Sequence, residues 1–176
     1  GQFATQKLCR LCQLLQQQTL QGAAGFIFIG LIVVENEPMV IEYNVRMGDP
    51  ETEVVLPRLK TDLLEIFQAI DNECLNEIEI EIDPQTAVTV MLVSGGYPEA
   101  YDKEKEITGL ENVKESIVFH AGATKADGKL VTNGGRVLTV TSLGDDFRSA
   151  LESSYKSIEN IKFEAMNYRT DIGFDL

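Results

Sequence analysis

The spacing of apolar positions changes character along the chain, and each change marks a new element. Residues 1–24 are dense in Gln and place Leu8, Leu11, Cys12 and Leu15 on one stripe, which predicts an amphipathic helix closed by Gly22-Ala-Ala-Gly25. From Phe26 to Val34 the run is almost wholly apolar, interrupted by Gly30, and reads as a buried strand. Glu35-Asn-Glu-Pro38 is a turn and Met39 to Val45 the return strand, so the pair predicts an antiparallel hairpin.

A helix start follows, with Asp49 as N-cap, Pro50 at the first helical position and Glu51 beside the positive helix end. Pro57 predicts a kink or break at Leu56, after which Leu59, Leu63, Ile66 and Ile70 continue an apolar face. The acidic stretch Asp71 to Gln85 ends in Asp-Pro-Gln and is the best candidate for a domain junction. Beyond it, Ala87 to Val93, Ser116 to His120 and Gly134 to Thr141 read as strands, with a hairpin turn at Ala126-Asp-Gly128. Gly144-Asp-Asp opens a helix that runs through Ile158, with Phe147, Ala150, Leu151, Tyr155 and Ile158 on its apolar side. No internal repeat is visible. The pattern divides the chain into a helix over 1–24, a hairpin-and-helix part over 25–84 and an α+β part with an antiparallel sheet over 85–176.

Composition narrows the function classes. The chain has 176 residues, 44% apolar and 24% charged, close to the globular average. Asp plus Glu total 28 against 15 Lys plus Arg, a formal charge of −13, and the pI is near 4.4. Nucleic-acid binding needs a basic footprint and anionic lipid needs cationic residues, so neither partner fits. No apolar run reaches membrane-spanning length and no secretory pattern is present, which makes the cytoplasm the expected compartment. Three cysteines, an odd number, argue against a disulfide framework. Cys9 and Cys12 have half-zinc-site spacing, but Cys12 joins a helical apolar stripe and no second pair follows, so buried thiols are the expected reading.

Candidate chemistry concentrates in Val40-Ile-Glu-Tyr-Asn-Val-Arg-Met-Gly-Asp-Pro-Glu51. Alternate strand residues share a face, so Glu42, Asn44 and Arg46 are expected to project together while Ile41, Tyr43 and Val45 point into a core. A carboxylate and an amide carbonyl are hard oxygen donors suited to Mg²⁺, and a nearby guanidinium can clamp a phosphoryl group. The alternative is a plain solvent-facing strand. The helix start at Gly48-Asp-Pro-Glu51, whose first N–H groups could receive an anion, tips the balance toward a metal–nucleotide site.

These residues also carry a resemblance. Gly25-Phe-Ile-Phe-Ile-Gly-Leu31 and the segment Val40 to Leu63 resemble the phosphoribosylamine–glycine ligase (glycinamide ribonucleotide synthetase) family. Ser94-Gly-Gly-Tyr-Pro98, Ile107-Thr-Gly-Leu110, Phe119-His-Ala-Gly122, Thr132-Asn-Gly-Gly-Arg-Val-Leu138 and Tyr168-Arg-Thr-Asp-Ile-Gly173 match its C-terminal domain in the same order. The resemblance runs from Gly25 to about Phe174.

It implies that residues 25–84 are the C-terminal lobe of an ATP-grasp domain and 85–176 the ligase C-terminal domain. It implies ATP-dependent joining of glycine to 5-phosphoribosylamine through a glycyl phosphate, giving glycinamide ribonucleotide, ADP and phosphate in purine biosynthesis. Glu42 and Asn44 then match the ligands of Mg²⁺ or Mn²⁺, and Arg46 matches a residue stabilising the transferred phosphoryl group. Gly48, Asp49, Pro50 and Glu51 match the wall of the substrate pocket. A complete member is more than twice this length, and the glycine-rich loop with its nucleotide-contacting Lys does not occur upstream of Phe26. The chain is therefore expected to be a C-terminal portion, inactive without the N-terminal half. Residues 1–24 do not follow the family pattern recognisably.

Two other readings stand beside this one: a non-catalytic ATP-grasp remnant that assembles with another chain, and, more weakly, a thiol–metal protein built on Cys9 and Cys12. Among further residues, His120 reads as a structural hydrogen-bonding group rather than a general base. Gly134-Gly-Arg136 reads as a tight turn or bulge before it reads as a phosphate loop. Tyr97 before Pro98 reads as a packed turn residue, and Arg58 fits either a substrate contact or a helix cap.

Overall fold

The computed structural model describes residues 25–174, arranged as two compact units. The first unit holds residues 25–49 and Leu59–Ile82; the second holds Pro50–Arg58 and Asp83–Phe174. The amphipathic helix expected over 1–24, with Cys9 and Cys12, lies outside the described residues.

In the first unit, β1 (Phe28–Val34) pairs antiparallel with β2 (Glu37–Asn44). The connection is shorter than the sequence suggests. Glu35 and Asn36 both take left-handed backbone (φ 51° and 65°), the two-residue hairpin geometry whose twist matches that of the strands. Pro38 therefore sits inside β2, opposite Val33, in a two-stranded hairpin where a missing N–H is tolerated. The register slips between Gly30 and Leu31: Gly30 faces Glu42 and Leu31 faces Val40, leaving Ile41 as the extra, bulged residue.

The helix expected to run on from Asp49 is broken up. Helix α1 is only Thr52–Val55, with Glu51 rather than Asp49 as its N-cap, and it passes into a 3-10 turn at Leu56–Arg58. Pro57 stops propagation as expected, and the chain then extends far enough for Leu59 to bridge Ile82. Helix α2 (Leu63–Asp71) starts afresh where the Asp62 carboxylate accepts from the Leu64 N–H at 2.8 Å. Its inner face buries Ile66 and Ala69, and Phe67 meets Phe26 edge to face at 6.4 Å, tying the approach to β1 onto α2.

The second unit is built on an antiparallel three-stranded sheet in the order β3–β7–β4, from β3 (Thr86–Val93), β4 (Ile117–His120) and β7 (Arg136–Gly144). The central strand β7 is buried along Val137–Ser142, as the continuous apolar and Thr-rich run requires. Strands β5 (Ala123–Ala126) and β6 (Lys129–Thr132) form a separate hairpin around Asp127-Gly128, both in left-handed backbone. Helix α3 (Phe147–Ile158) packs on β3 and β7, starting at Asp146 with a reciprocal capping box to Ser149. The core comprises Val90, Leu92, Ile107, Val137, Leu138, Val140, Ile158, Ile161 and Phe163.

The inner stripe of α3 differs from the apolar one expected. Ala150, Ser154, Ser157 and Ile158 are buried, while Phe147, Leu151 and Tyr155 are only half-buried. The serines are accommodated because they bond one another. Ser154 Oγ donates to Ser142 Oγ at 2.9 Å, and Ser116 Oγ lies 2.7 Å from Ser142 Oγ and 2.6 Å from Ser157 Oγ. Mixed α and β structure with antiparallel sheets is thus the architecture of the described residues. Among them, no helix is long and apolar enough to cross a membrane.

Candidate functional site

The hairpin places two of the expected site residues side by side. Glu42 and Asn44 lie two apart on β2, after the bulge, so the alternation between them is unbroken and they share a face. Their cross-strand partners are Gly30 and Phe28. Glu42 is exposed and Asn44 half-buried, so the carboxylate and the amide oxygen are both reachable.

Arg46 does not continue the row. Strand pairing ends at Asn44 and Arg46 falls in the bend that follows, exposed, its Nη1 donating to the Met47 carbonyl at 2.9 Å. Once ladder bonding stops, the period-2 rule no longer fixes where a side chain points. Nor do Ile41, Tyr43 and Val45 enter a core: they are 65%, 64% and 83% exposed. Among the described residues this sheet is two strands wide, and Ile32, Val33, Val34, Met39 and Val40 are exposed as well.

Gly48 is buried and Asp49 exposed at the end of the first unit; Pro50 and Glu51 begin the second. The anion-receiving helix start expected here is not formed. Helix α1 has four residues, too short for an appreciable macrodipole, and the N–H groups of Glu53 and Val54 already donate to the carbonyls of Pro50 and Glu51, each at 3.1 Å. Arg58 is held structurally, its Nε and Nη2 donating to the Asp83 carbonyl at 3.2 and 3.1 Å.

In the second unit the glycine motifs serve close packing. Ser94 donates through Oγ to Gly134 O (2.9 Å) and through N–H to Gly135 O (2.8 Å). Gly135 lies so close to the Tyr97 ring that a Cβ would overlap it, and Gly122 and Gly134 meet backbone to backbone. His120 ends β4 and is exposed.

Among the described residues, no three His, Cys, Asp or Glu side chains gather in a cluster that could hold a metal ion. A cation at β2 would take one carboxylate and one amide oxygen from this chain, with water and phosphate oxygens completing the shell. That donor set fits Mg²⁺ or Mn²⁺ and does not fit a closed zinc site. Gly30 was not apparent from the sequence as part of this site. Its one signal was a glycine inside an apolar strand, which marks a bulge or a close approach.

Comparison with known proteins agrees with this architecture. Residues 87–175 match the family model described as phosphoribosylglycinamide synthetase, C domain. Phosphoribosylamine–glycine ligase of Caldanaerobacter subterraneus is 47% identical over 148 residues, covering 84% of this chain and 36% of that protein. The trifunctional purine biosynthetic protein adenosine-3 of Gallus gallus is 43% identical over 183 residues, 98% of this chain and 18% of that protein. The crystal structure of phosphoribosylamine–glycine ligase from Thermotoga maritima superposes with a TM-score of 0.67 at 39% identity, covering 84% of this chain and 36% of that one. The chain belongs to the phosphoribosylamine–glycine ligase family, in its C-terminal portion. It spans about a third of the length of the single-function relatives. At 98% of this chain, the chicken match extends into residues 1–24.

Proposed function

We propose that this chain supplies the cation-binding strand and the C-terminal domain of an ATP-dependent ligase that joins glycine to 5-phosphoribosylamine in purine biosynthesis. The observation that carries the reading is the Glu42/Asn44 pair, two hard oxygen donors on one face of β2 opposite Gly30. A bound Mg²⁺ or Mn²⁺ would neutralise and orient the ATP phosphates for transfer to the glycine carboxylate. Glu42 and Asn44 hold that cation, and Arg46 adds a positive charge toward the phosphoryl group as negative charge builds on it. Gly48 and Asp49, at the end of the first unit, line the substrate pocket. In this reading residues 25–84 are the C-terminal lobe of an ATP-grasp domain, residues 85–176 are the ligase C-terminal domain, and the protein works in the cytoplasm.

The exposed apolar surface of the hairpin supports a lobe that is completed, in a full ligase, by the part of the relatives lying outside the matched third. The same surface favours the second reading, a remnant that assembles with another chain without catalysing anything. A chimera separates the two. Residues 25–176 would replace the equivalent portion of the Caldanaerobacter ligase and be expressed in a purine-requiring strain lacking its own ligase. Growth without purine is the expected result; a folded, well-expressed chimera that leaves the strain auxotrophic overturns the enzymatic reading.

A further inference from the structure

We infer that Gly30 is a positioning residue for the Glu42 carboxylate, its missing side chain leaving the space across which Glu42 reaches a divalent cation. The inference rests on the proposed reading of Glu42 as a cation ligand. Two features of the hairpin act on this one side chain. The first is the bulge: Ile41 has no partner opposite, so β2 bends immediately before Glu42 and the carboxylate-bearing residue is re-aimed. The second is the cross-strand pair itself. A Cβ built on Gly30 would lie 3.0 Å from Glu42 Cγ, 3.7 Å from Oε1 and 3.8 Å from the Glu42 N.

Those distances mean that the Glu42 side chain lies over Gly30 instead of standing away from the strand. Carbon atoms in good contact sit about 3.5–4.0 Å apart, so a methyl at Gly30 pushes Cγ away by several tenths of an ångström. The carboxylate is carried along with it. Metal–oxygen bonds tolerate only about ±0.2 Å, and Mg²⁺ holds its ligands near-octahedrally, so a shift of that size matters. The backbone does not require glycine here, because Gly30 is not among the residues with left-handed φ. Glycine inside a strand is also unfavourable compared with a residue that has a side chain. Local strand stability therefore argues against Gly30, and room for Glu42 argues for it.

This opposition gives the test, made on the intact chain with Mn²⁺ alone as probe. Paramagnetic broadening of the amide resonances of residues 28–46 is followed over a Mn²⁺ titration for the parent, Gly30→Ala and Glu42→Gln, with thermal midpoints measured alongside. The expected result is broadening centred on Glu42 and Asn44 in the parent and its loss in Glu42→Gln. Gly30→Ala should need about tenfold more Mn²⁺ while melting at the same temperature as the parent or higher. A purely structural role would instead lower the midpoint and leave the Mn²⁺ titration unmoved. If Gly30→Ala titrates like the parent while Glu42→Gln does not, the positioning role is overturned and Glu42 stands as a ligand. If the parent shows no broadening, or Glu42→Gln broadens like the parent, the cation reading falls and takes this inference with it.

Discussion

Gly109→Ala is expected to be severely destabilising, and the structure separates the reasons. Gly109 precedes the turn at Leu110–Asn112 with φ +87°, and Thr108 beside it exchanges two backbone hydrogen bonds with Lys162, at 2.9 and 3.0 Å. A Cβ at Gly109 would overlap the Asn160 carbonyl oxygen and lie 2.9 Å from its carbon. Relief would require Asn160 to move, and Ile161, next in the chain, is a core residue only 1% exposed. Gly128 is the matched control: φ is +78°, but nothing lies within 4 Å of a built Cβ. Left-handed backbone costs an alanine about 1–2 kcal/mol, and its reduced freedom in the unfolded chain returns about 0.4–1 kcal/mol. Gly128→Ala should therefore lose about 1 kcal/mol. Overpacking adds about 1–3 kcal/mol, so Gly109→Ala should lose about 2–4 kcal/mol. At about 4–8 °C per kcal/mol, the two midpoints should fall by roughly 4–8 °C and by roughly 8–32 °C. Urea and thermal unfolding followed by the methyl resonances of Val90, Leu92 and Val140 reports on the second unit by itself. Equal losses in the two variants would refute the assignment of the larger cost to the Asn160 carbonyl.

Three further outcomes follow from the same structure. The Asp146 carboxyl is held below the usual carboxylate range, chiefly by the Ser149 N–H and then by the Ser149 hydroxyl. A depressed carboxylate stabilises α3 above its ordinary pKa and stops doing so as pH falls through the lower folded value. Protection of the amides over Phe147–Ala150, taken as the intrinsic exchange rate relative to the observed rate at each pH, should fall on acidification, and Asp146→Asn should flatten that dependence. In the chimeric ligase, Arg46→Ala should lower kcat by about a hundredfold with the KM for Mn²⁺ unchanged, since Arg46 acts on the phosphoryl group and not on the cation; a raised Mn²⁺ KM at constant kcat would count against that role. Tyr43→Ser with Val45→Ser should cut binding of a hydrophobic dye to the chain without lowering its thermal midpoint, because both side chains are exposed; unchanged dye binding would move the apolar surface elsewhere.

Much of the fold was legible because it rests on local signals. The strand before Glu35, the Asp127-Gly128 turn and the Asp146 cap each specify geometry within a few residues and lie where the pattern puts them, although no residue of Phe28–Val34 is buried and the expected buried run is not formed. What the pattern could not give depended on groups distant in sequence. The buried serines of α3 read as polar until Ser116 and Ser142 are brought to them from the sheet. Ile41, Tyr43 and Val45 read as core because alternation shows which residues share a face, not whether anything covers it. Arg46 was grouped with Glu42 and Asn44 by a rule that holds only while strand pairing lasts, and pairing stops at Asn44. Glu42 and Asn44 could be read as a pair from spacing alone, whereas Gly30 enters only through the cross-strand register.

The most direct test of the cation reading is glycine-dependent ADP release by the chimeric ligase with ATP and 5-phosphoribosylamine, compared with its Glu42→Gln and Asn44→Ala variants across a Mn²⁺ series. Glu42→Gln keeps the shape of the side chain and removes its charge. Both variants should require at least about tenfold more Mn²⁺ for half-maximal rate, as expected when one of two protein ligands is weakened, with glycine KM little changed. Full activity in both variants at the parent's Mn²⁺ requirement would contradict the assignment of Glu42 and Asn44 as the cation-binding pair.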